Sequence, residues 1–471
     1  MIKLKGTENK KVLKRRRLLY ILVTSLIFEG LIRKLTPSFL GLPIFFFKDI
    51  LCIIALFSIA NDDLKGNALK INKYWKIVFV AFIPLVVNTG FLDPVLAPFA
   101  LKQYLLYVVV AILVPLSFPS GQEEAFNRFV SFFTLMLIPT ALIAMLQNAL
   151  PSSNWLNLST DGSNLEAFSA EGYLRVSSTF SFNAQYAFFL NVVACFLGVR
   201  LFLIPTYKSR FWNFVKKYSI PFMVISLIIG SFITGSRAAV YGSALCLFIG
   251  IIFLGIKSPK VVLGKGVVAI VFLVISLTAL QALKPEFFAA FNKRSENSSE
   301  YSSNDELAGR VKGNFFNWTN WIFDVDLKET ILGKGLAVMS NGSDKFSSYA
   351  YSIRSGQHIW TETDMATTVW EGGIYLLILW YGFRIGVIIF CYRIWKSLKE
   401  KKFGFAVSFL MGFLIVTGIG GTLSIQPPLS IWWWMCVGAI ITIKNFDKRK
   451  IQAPFTKQIP NANNMPQIYN V

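Results

Sequence analysis

Arg237 and its small neighbours form the first group of side chains that could perform chemistry. Arg237 follows Thr234, Gly235 and Ser236 between two apolar segments. A guanidinium at the start of a helix presents a fixed fork of donors, and small neighbours let a ligand approach the backbone closely. This combination suits a phosphate or pyrophosphate group held by Arg237 and Ser236. The structural alternative is an interfacial arginine that only reaches toward lipid headgroups.

Two further arginines lie in polar segments. Arg310 precedes Trp318 and Trp321, whose spacing places both indoles on one side of a helix. Arg310 is a candidate second anion ligand, with the indoles as an apolar or sugar-stacking surface. The alternative is an amphipathic helix that lies on the membrane and is anchored by its tryptophans. Arg175 precedes the apolar stretch at 184–205 and is a third candidate anion ligand.

His358, Glu362 and Glu371 are the candidate general bases. His358 is the single histidine of the chain, and it lies close in sequence to carboxylates. Imidazole is the side chain best suited to proton transfer near neutral pH, and carboxylates are the usual alternative. Glu371 has a second interpretation, because an acidic residue at a helix N-terminus is stabilised by the helix dipole.

Metal and cofactor chemistry have little support in these residues. With one histidine and five cysteines that all fall inside apolar segments, the chain offers no zinc ligand set and no disulfide framework. It also lacks a P-loop and a glycine-rich dinucleotide fingerprint. We therefore expect no metal and no cofactor.

Composition indicates what must position these residues. The chain has 471 residues, 54% of them hydrophobic, and a mean hydropathy of +0.54. The apolar residues occur in blocks near the length that crosses a bilayer, which takes about 20 residues as a helix. This pattern predicts an all-α, polytopic integral membrane protein. We expect twelve spans, at 18–33, 41–60, 76–93, 99–118, 126–150, 184–205, 219–236, 238–256, 266–283, 367–392, 404–423 and 429–443.

The spans divide the chain into five regions. Residues 1–17 form a basic N-terminus, and 18–283 hold nine helices with an external loop near 151–183. Residues 284–366 form a large extracytoplasmic loop that can pack as a cap on the membrane domain. The last three helices lie in 367–443, and the tail 444–471 is expected to be disordered.

The formal net charge of +22 reflects orientation rather than nucleic-acid binding. Most cations lie in every second connection between apolar blocks, as the positive-inside rule requires of cytoplasmic loops. Both termini are therefore expected in the cytoplasm, with membrane lipids rather than nucleic acid as partners. The basic segments are 10–17, 65–76, 208–217, 257–265, 393–402 and 444–450.

Charged and aromatic residues inside the spans suggest structural roles. Glu29 and Lys48 can pair between the first two helices, because unpaired charges are costly in hydrocarbon, and Asp49 also needs a partner. The run Trp432–Trp434, near the expected outer end of the last helix, is typical of an aromatic belt at the membrane surface.

Together, these motifs resemble the superfamily of O-antigen ligases and Wzy-type polysaccharide polymerases. The order of the motifs matches that superfamily across nearly the whole chain. The motif Phe28–Lys34, with Lys48 and Asp49, also resembles a bacterial exopolysaccharide branch of it. The matching segments are Phe28–Lys34 with Lys48 and Asp49, Arg175–Asn183, Thr234–Ala239, Gly309 and Arg310 with Trp318, and Glu362–Ile374.

The resemblance implies a GT-C-like, inverting and metal-independent glycosyltransferase at the outer face of the bacterial cytoplasmic membrane. Its donor would be an oligosaccharide on undecaprenyl pyrophosphate, held by Arg237, Arg310 and Arg175. Flippases and chain-length regulators of the same pathway are the implied protein partners.

One departure bears on the base and on the acceptor. The family usually has a histidine about nine residues before the Glu-Gly pair, where this chain has Glu362. Either Glu362 is the base with His358 beside it, or His358 has taken the role. Glu362 is preferred, which favours a polymerase that extends a lipid-linked repeat unit over a ligase that transfers to lipid A core. A lipid-linked sugar flippase or transporter and a non-catalytic assembly partner are the rival classes.

Overall fold

The computed structural model describes residues 10–60, 67–160, 162, 174–300, 312–313, 315–320, 322, 324–340, 342–355 and 363–456. Every regular element in these ranges is helical, which confirms the all-α class. The tail beyond residue 456 and most of the segment 301–323 lie outside the description. The first ten helices are α1 (Lys10–Leu35), α2 (Gly41–Ala60), α3 (Asn67–Leu92), α4 (Leu96–Tyr104), α5 (Val109–Ser117), α6 (Glu123–Leu135), α7 (Leu137–Ala149), α8 (Asn183–Arg200), α9 (Arg210–Ile233) and α10 (Arg237–Lys257).

The second part of the chain combines long helices with short ones. The short helices belong to the region between α11 and α15, where the sequence predicts the large loop. These elements are α11 (Val267–Leu283), α12 (Glu286–Glu300), α13 (Leu327–Leu332), α14 (Ser348–Ser355), α15 (Asp364–Ser397), α16 (Lys401–Gly420) and α17 (Pro427–Thr456).

Eight helical segments among the described residues are long and apolar enough to cross a membrane, or ten if two bent pairs each count as one span. The predicted spans at 18–33 and 184–205 correspond to α1 and α8, which are not among these. The chain is thus a polytopic membrane protein by its helices. The eight segments are Ser38–Ala60, Lys73–Leu92, Leu96–Ser117, Glu123–Ala149, Arg237–Lys257, Asp364–Ser397, Lys401–Gly420 and Pro427–Lys448.

Five of the six basic segments meet at one end of the helix bundle, which we call the basic end. Side chains join their helices there through hydrogen bonds and ion pairs. The pairs are Arg16 with Gln122, Glu124 with Thr206, Lys257 with Leu398, Lys402 with Glu123, and Glu400 with Asp447.

The connections between the other ends of the helices meet at the opposite end, together with the described part of the large loop. The described part of the loop is held there by hydrogen bonds to α3 and α15. The contacts that define this end are Leu31 with Thr179, Lys34 with Leu156, Leu336 with Thr89, Ser347 with Asp93, and Met339 with Glu371.

The centre of the bundle is formed by α8, α16 and α17, and it corrects the aromatic-belt prediction. Trp432, Trp433 and Trp434 have no exposed surface. Trp433 donates its indole N–H to the carbonyl oxygen of Leu414 at 3.0 Å. The belt prediction is wrong because α17 packs against α5 and α16, so that its tryptophans face other helices rather than headgroups. The five cysteines are free thiols buried in helices, as expected.

Candidate functional site

Thr179 inserts into the hydrogen-bond ladder of α1 at the opposite end. In an uninterrupted helix the N–H of Leu31 would donate to the carbonyl of Ile27. Here the Leu31 N–H donates to the Thr179 carbonyl at 2.9 Å, and the Thr179 hydroxyl donates to the Ile27 carbonyl. One residue thus satisfies both helix groups. The interaction joins the motif 28–34 directly to the motif 175–183.

Two local features let this segment approach α1. A Cβ atom on Gly30 would lie 2.0 Å from the carbonyl carbon of Phe180, so only glycine fits. Ser178 adopts a left-handed φ of 53°, and its N–H donates to the side-chain oxygen of Gln147 at 2.7 Å. A left-handed non-glycine residue costs about 1–3 kcal/mol. The buried bonds of Ser178 offset that strain, which fixes the path of the segment that follows Arg175.

A buried charge cluster lies beneath this junction. Lys48 Nζ is 3.2 Å from Glu29 Oε2, which confirms the predicted pair. Lys102 Nζ is 2.9 Å from Asp49 Oδ2, and the Tyr107 hydroxyl donates to Asp49 Oδ1 at 2.6 Å. Glu29, Lys48 and Asp49, the charged residues predicted to lie inside spans, therefore each have a partner, as the cost of burying a charge requires.

Cations outnumber carboxylates in and around this cluster. Arg33 Nη1 lies 3.7 Å from Glu29, and Lys34 Nζ donates to the Leu156 carbonyl at 2.7 Å. With Lys48 and Lys102, three cations lie within ion-pair distance of the two carboxylates Glu29 and Asp49, and Lys34 bonds to a backbone carbonyl instead. Aromatic rings cover part of the excess: Lys48 Nζ lies 3.9 Å from the ring centre of Phe45, and Lys102 Nζ lies 4.5 Å from that of Phe46. The region therefore favours an anionic ligand.

Arg237 opens α10 after a tight turn at the opposite end. Gly235 has a φ of 57°, and Ser236 is 5% exposed, with a side chain that forms no capping bond. The Arg237 side chain is half-buried. Among the residues that the structure describes, no carboxylate lies within ion-pair distance of it. Its charge and the first N–H groups of α10 are thus available to an anion.

The turn before α10 is recessed. The side-chain amide of Asn191 donates to the Ala238 carbonyl at 3.3 Å. Asn191 lies eight residues into α8, so α10 begins about 12 Å below the start of that helix. The axis bends by 101° between α11 and α12, and a Cβ on Gly235 would lie 3.1 Å from that of Ala290 in α12. Arg237 therefore begins a helix beneath α12.

Glu371 holds the large loop onto the bundle. It has no exposed surface, and its Oε2 accepts from the Tyr104 hydroxyl at 2.6 Å and the Gln103 amide at 2.9 Å. Its Oε1 accepts from the Met339 N–H at 2.9 Å, and its carbonyl accepts from the Gly335 N–H at 3.0 Å. It ends the first segment of α15 rather than starting a helix. The carboxylate is a fully engaged anchor in this conformation.

A glycine pair after Glu371 reverses the direction of α15. Gly372 and Gly373 have non-helical dihedral angles, with φ of 63° at Gly373. A Cβ on Gly373 would lie 2.3 Å from the Ile331 carbonyl oxygen, and one on Gly333 would lie 2.4 Å from the Gly372 nitrogen. Backbone from the loop thus packs directly on the break, which side chains at these positions would prevent.

Asp364 and Arg384 show how far the two segments of α15 fold together. Their side chains form an ion pair although 20 residues separate them. A straight helix would place them about 30 Å apart. The Ser424 hydroxyl donates to Asp364 at 2.6 Å, and Arg384 also donates to the carbonyls of Gly418 at 2.8 Å and Gly421 at 2.9 Å. The segment 364–371 therefore folds back along 374–397.

The loop carries further contacts around Lys334. Lys334 Nζ lies 2.6 Å from Glu329, and its carbonyl accepts from the Tyr349 hydroxyl at 2.8 Å. Burial raises the pKa of Tyr349, and the nearby Glu329 carboxylate adds to that rise. Tyr349 is thus a neutral hydrogen-bond donor that ties α14 to the segment after α13.

The predicted site residues fall into two groups, those among the described residues and those outside them. Arg175 is half-buried beside the segment joined to α1, and Arg237 and Ser236 lie at the recessed turn. Arg310, His358 and Glu362 lie outside the described residues, so their candidate roles stay predictions. In the described part of the chain, no three metal-ligating side chains are grouped as a metal site would need.

Sequence reasoning missed several members of these networks. Lys102 and Arg384 both lie inside predicted spans, where an ionisable residue is itself a signal of a paired or functional position. Tyr104 and Gln103 offered no such signal, since their partner Glu371 is distant in the chain. Asp364 lies within the motif Glu362–Ile374, but its position in the sequence alone assigns it no role.

No protein-family model matches the chain, and no curated protein matches its sequence.

Proposed function

We propose that this chain is a polysaccharide polymerase of the bacterial cytoplasmic membrane, with the basic end and both termini in the cytoplasm and twelve spans. It transfers a glycan from undecaprenyl pyrophosphate to a lipid-linked repeat unit at the outer face. The acceptor hydroxyl oxygen attacks the anomeric carbon, the bond to pyrophosphate breaks, and a base takes the hydroxyl proton. Undecaprenyl pyrophosphate leaves with the bonding electron pair.

The observation that carries this proposal is the junction of two motifs of the resemblance through Thr179. The junction gathers Arg33, Lys34, Lys48 and Lys102 at the end where Arg237 is also located. Negative charge develops on the departing pyrophosphate, so fixed cations at this end lower the barrier most. Arg237 has no carboxylate neighbour among the described residues, which suits it to this role. Arg310 and Arg175 are the proposed additional ligands.

The proposed base is Glu362, with His358 as its neighbour or replacement. Glu371 is the weaker candidate because its carboxylate already accepts three hydrogen bonds. Proton transfer to Glu371 would require the segment 334–340 to move away. Its anchoring contacts suit it better to positioning the loop than to taking a proton.

A lipid-linked sugar flippase is the second candidate. Buried ion pairs inside spans are typical of transporters, and Asp364–Arg384 and Asp49–Lys102 are such pairs. A flippase would move the lipid-linked sugar without forming a new glycosidic bond, so product analysis separates the two functions.

The test uses purified full-length protein with undecaprenyl-pyrophosphate-linked repeat units and a chelator, without ATP. Chain extension is expected for the wild type and for Arg210→Ala, a control arginine exposed at the start of α9. Arg237→Ala should reduce the rate of chain extension about 10²–10³-fold. Transfer only to lipid A core would identify a ligase. Absence of any transfer, with translocation in proteoliposomes, would identify the flippase.

A further inference from the structure

Arg200 is a buried cation without an acidic partner at the basic end. It is the last residue of α8 and is 1% exposed. Its guanidinium donates to the Ser131 carbonyl at 3.3 Å, to the Thr134 hydroxyl at 3.4 Å and to the Ser219 hydroxyl at 2.9 Å. All of these acceptors are neutral. Among the described residues, no carboxylate lies within ion-pair distance of this guanidinium.

The two acidic side chains of α6, the helix that carries Ser131 and Thr134, are engaged elsewhere. Glu124 pairs with Arg128 at 3.2 Å and accepts from the Thr206 N–H at 2.6 Å. Glu123 pairs with Lys402. Neither carboxylate is therefore available to balance the charge of Arg200.

The positive charge of the buried Arg200 guanidinium is only partly compensated by its surroundings. Neutral hydrogen bonds replace lost hydration, and the C-terminal dipole of α8 supplies at most about half a negative charge. An unpaired buried charge is costly, and a nearby counter-ion recovers much of that cost. The position therefore favours a bound anion.

Arg200 lies in the wall of a cavity that could admit such an anion. The cavity has a volume of about 460 Å³ and is also lined by Lys216 and Asn213. The Asn213 amide donates to the Tyr207 carbonyl at 2.7 Å, which fixes one side of the opening. Lys216 is half-buried and Arg200 is buried, so two cationic residues line one space with no carboxylate in its wall.

The remaining wall is apolar and reaches the outer surface of the bundle. Leu201 is 44% exposed and Ile204 is 58% exposed, and Pro205 and Ile220 complete the lining. A soluble anion makes no favourable contact with such an apolar surface, whereas a phospholipid has a charged phosphate next to its hydrocarbon chains. The combination matches the boundary between headgroups and acyl chains.

We propose that this cavity binds the phosphate group of an anionic phospholipid from the leaflet at the basic end. Lys216 donates charge-assisted hydrogen bonds to the phosphate oxygens, and the buried positive charge of Arg200 in the same wall attracts them. The acyl chains lie along Leu201 and Ile204. The site lies at the other end of the bundle from the glycan-transfer site and does not depend on it.

Native mass spectrometry of the full-length protein in neutral detergent tests the site with defined lipids. Phosphatidylglycerol should bind saturably and more tightly than phosphatidylcholine, whose choline cation cancels the charge of its phosphate. Arg200→Gln and Lys216→Gln should each weaken phosphatidylglycerol binding about tenfold or more. Lys396→Gln, which removes an exposed cation at the basic end outside the cavity, should leave it unchanged.

Lys216→Gln keeps the test decisive if Arg200→Gln fails to fold, because Lys216 is only half-buried. Equal phosphatidylglycerol affinity in the wild type and in Lys216→Gln would overturn the proposal. Isothermal titration with inorganic phosphate, without lipid, gives a separate result. Saturable phosphate binding that depends on Lys216, with no preference for phosphatidylglycerol, would overturn the lipid as occupant.

Discussion

Asp364 and Arg384 form a buried ion pair within one helical element, although they are 20 residues apart in sequence. The pair exists because Gly372 and Gly373 reverse the chain between them. It links the end of the large loop to the middle of α15 and to Ser424. The position of the loop thus depends on charges inside the bundle.

Loss of the cation at Arg384 should destabilise the protein strongly. Arg384→Met leaves the Asp364 carboxylate buried without a counter-charge, which costs about 3–5 kcal/mol. Thermal unfolding of the purified protein in detergent measures the change. Arg393→Met, an exposed arginine of the same helix, is the matched control and should leave the unfolding temperature nearly unchanged.

The double variant Asp364→Asn with Arg384→Met should be more stable than Arg384→Met alone, because it leaves no charge buried. Equal unfolding temperatures for Arg384→Met and Arg393→Met would show that the Asp364–Arg384 ion pair does not stabilise the fold.

Substitution at the glycine break should loosen the loop. Gly373→Ala forces a non-glycine residue into a left-handed conformation and places a Cβ 2.3 Å from the Ile331 carbonyl oxygen. We expect a loss of at least about 1–3 kcal/mol in stability and faster proteolysis within 333–347. Gly386→Ala, where a Cβ would meet nothing within 4 Å, should not be destabilising. Equal protease sensitivity of the two variants would contradict the role of the break.

Gly30→Ala should separate the two motifs of the candidate site. Its Cβ would lie 2.0 Å from the Phe180 backbone, so the segment that carries Thr179 must move away from α1. Chain extension should fall at least about a hundredfold, since misplacement of positioning groups by 1 Å has effects of that size. Gly41→Ala is the control, as it has open space around it. Activity retained in Gly30→Ala would show that the junction is not needed.

Replacement of Arg237 should follow the geometry of its guanidinium. Arg237→Ala should reduce the rate of chain extension about 10²–10³-fold, the usual effect of removing one donor to a developing charge. The rate of Arg237→Lys should fall between those of the wild type and Arg237→Ala, because lysine keeps the charge but loses the fork of donors. Initial rates at saturating donor measure this order. Equal rates for Lys and Ala would mean that Arg237 does not hold an oxyanion by paired hydrogen bonds.

The helices were predictable because each is encoded locally. Apolar blocks such as 41–60 and 404–423 need only hydrocarbon around them, so their lengths foretell α2 and α16 closely. The Glu29–Lys48 pair was predictable for a similar reason, since two opposite charges in adjacent helices have few other partners. Trp432–Trp434 were misassigned because hydrophobicity alone does not distinguish a lipid-facing residue from one that faces another helix.

The amino-acid sequence alone determined an all-α membrane protein, the clustering of its basic segments and the motifs that nominate Arg175, Arg237 and Glu371. Only the tertiary structure decided that Thr179 enters the ladder of α1, that Asp364 reaches Arg384, and that Arg200 is buried without a carboxylate. The physical reason is range. Hydrophobic length acts along one helix, whereas hydrogen bonds and ion pairs of buried groups depend on which distant segments the fold brings within about 3 Å.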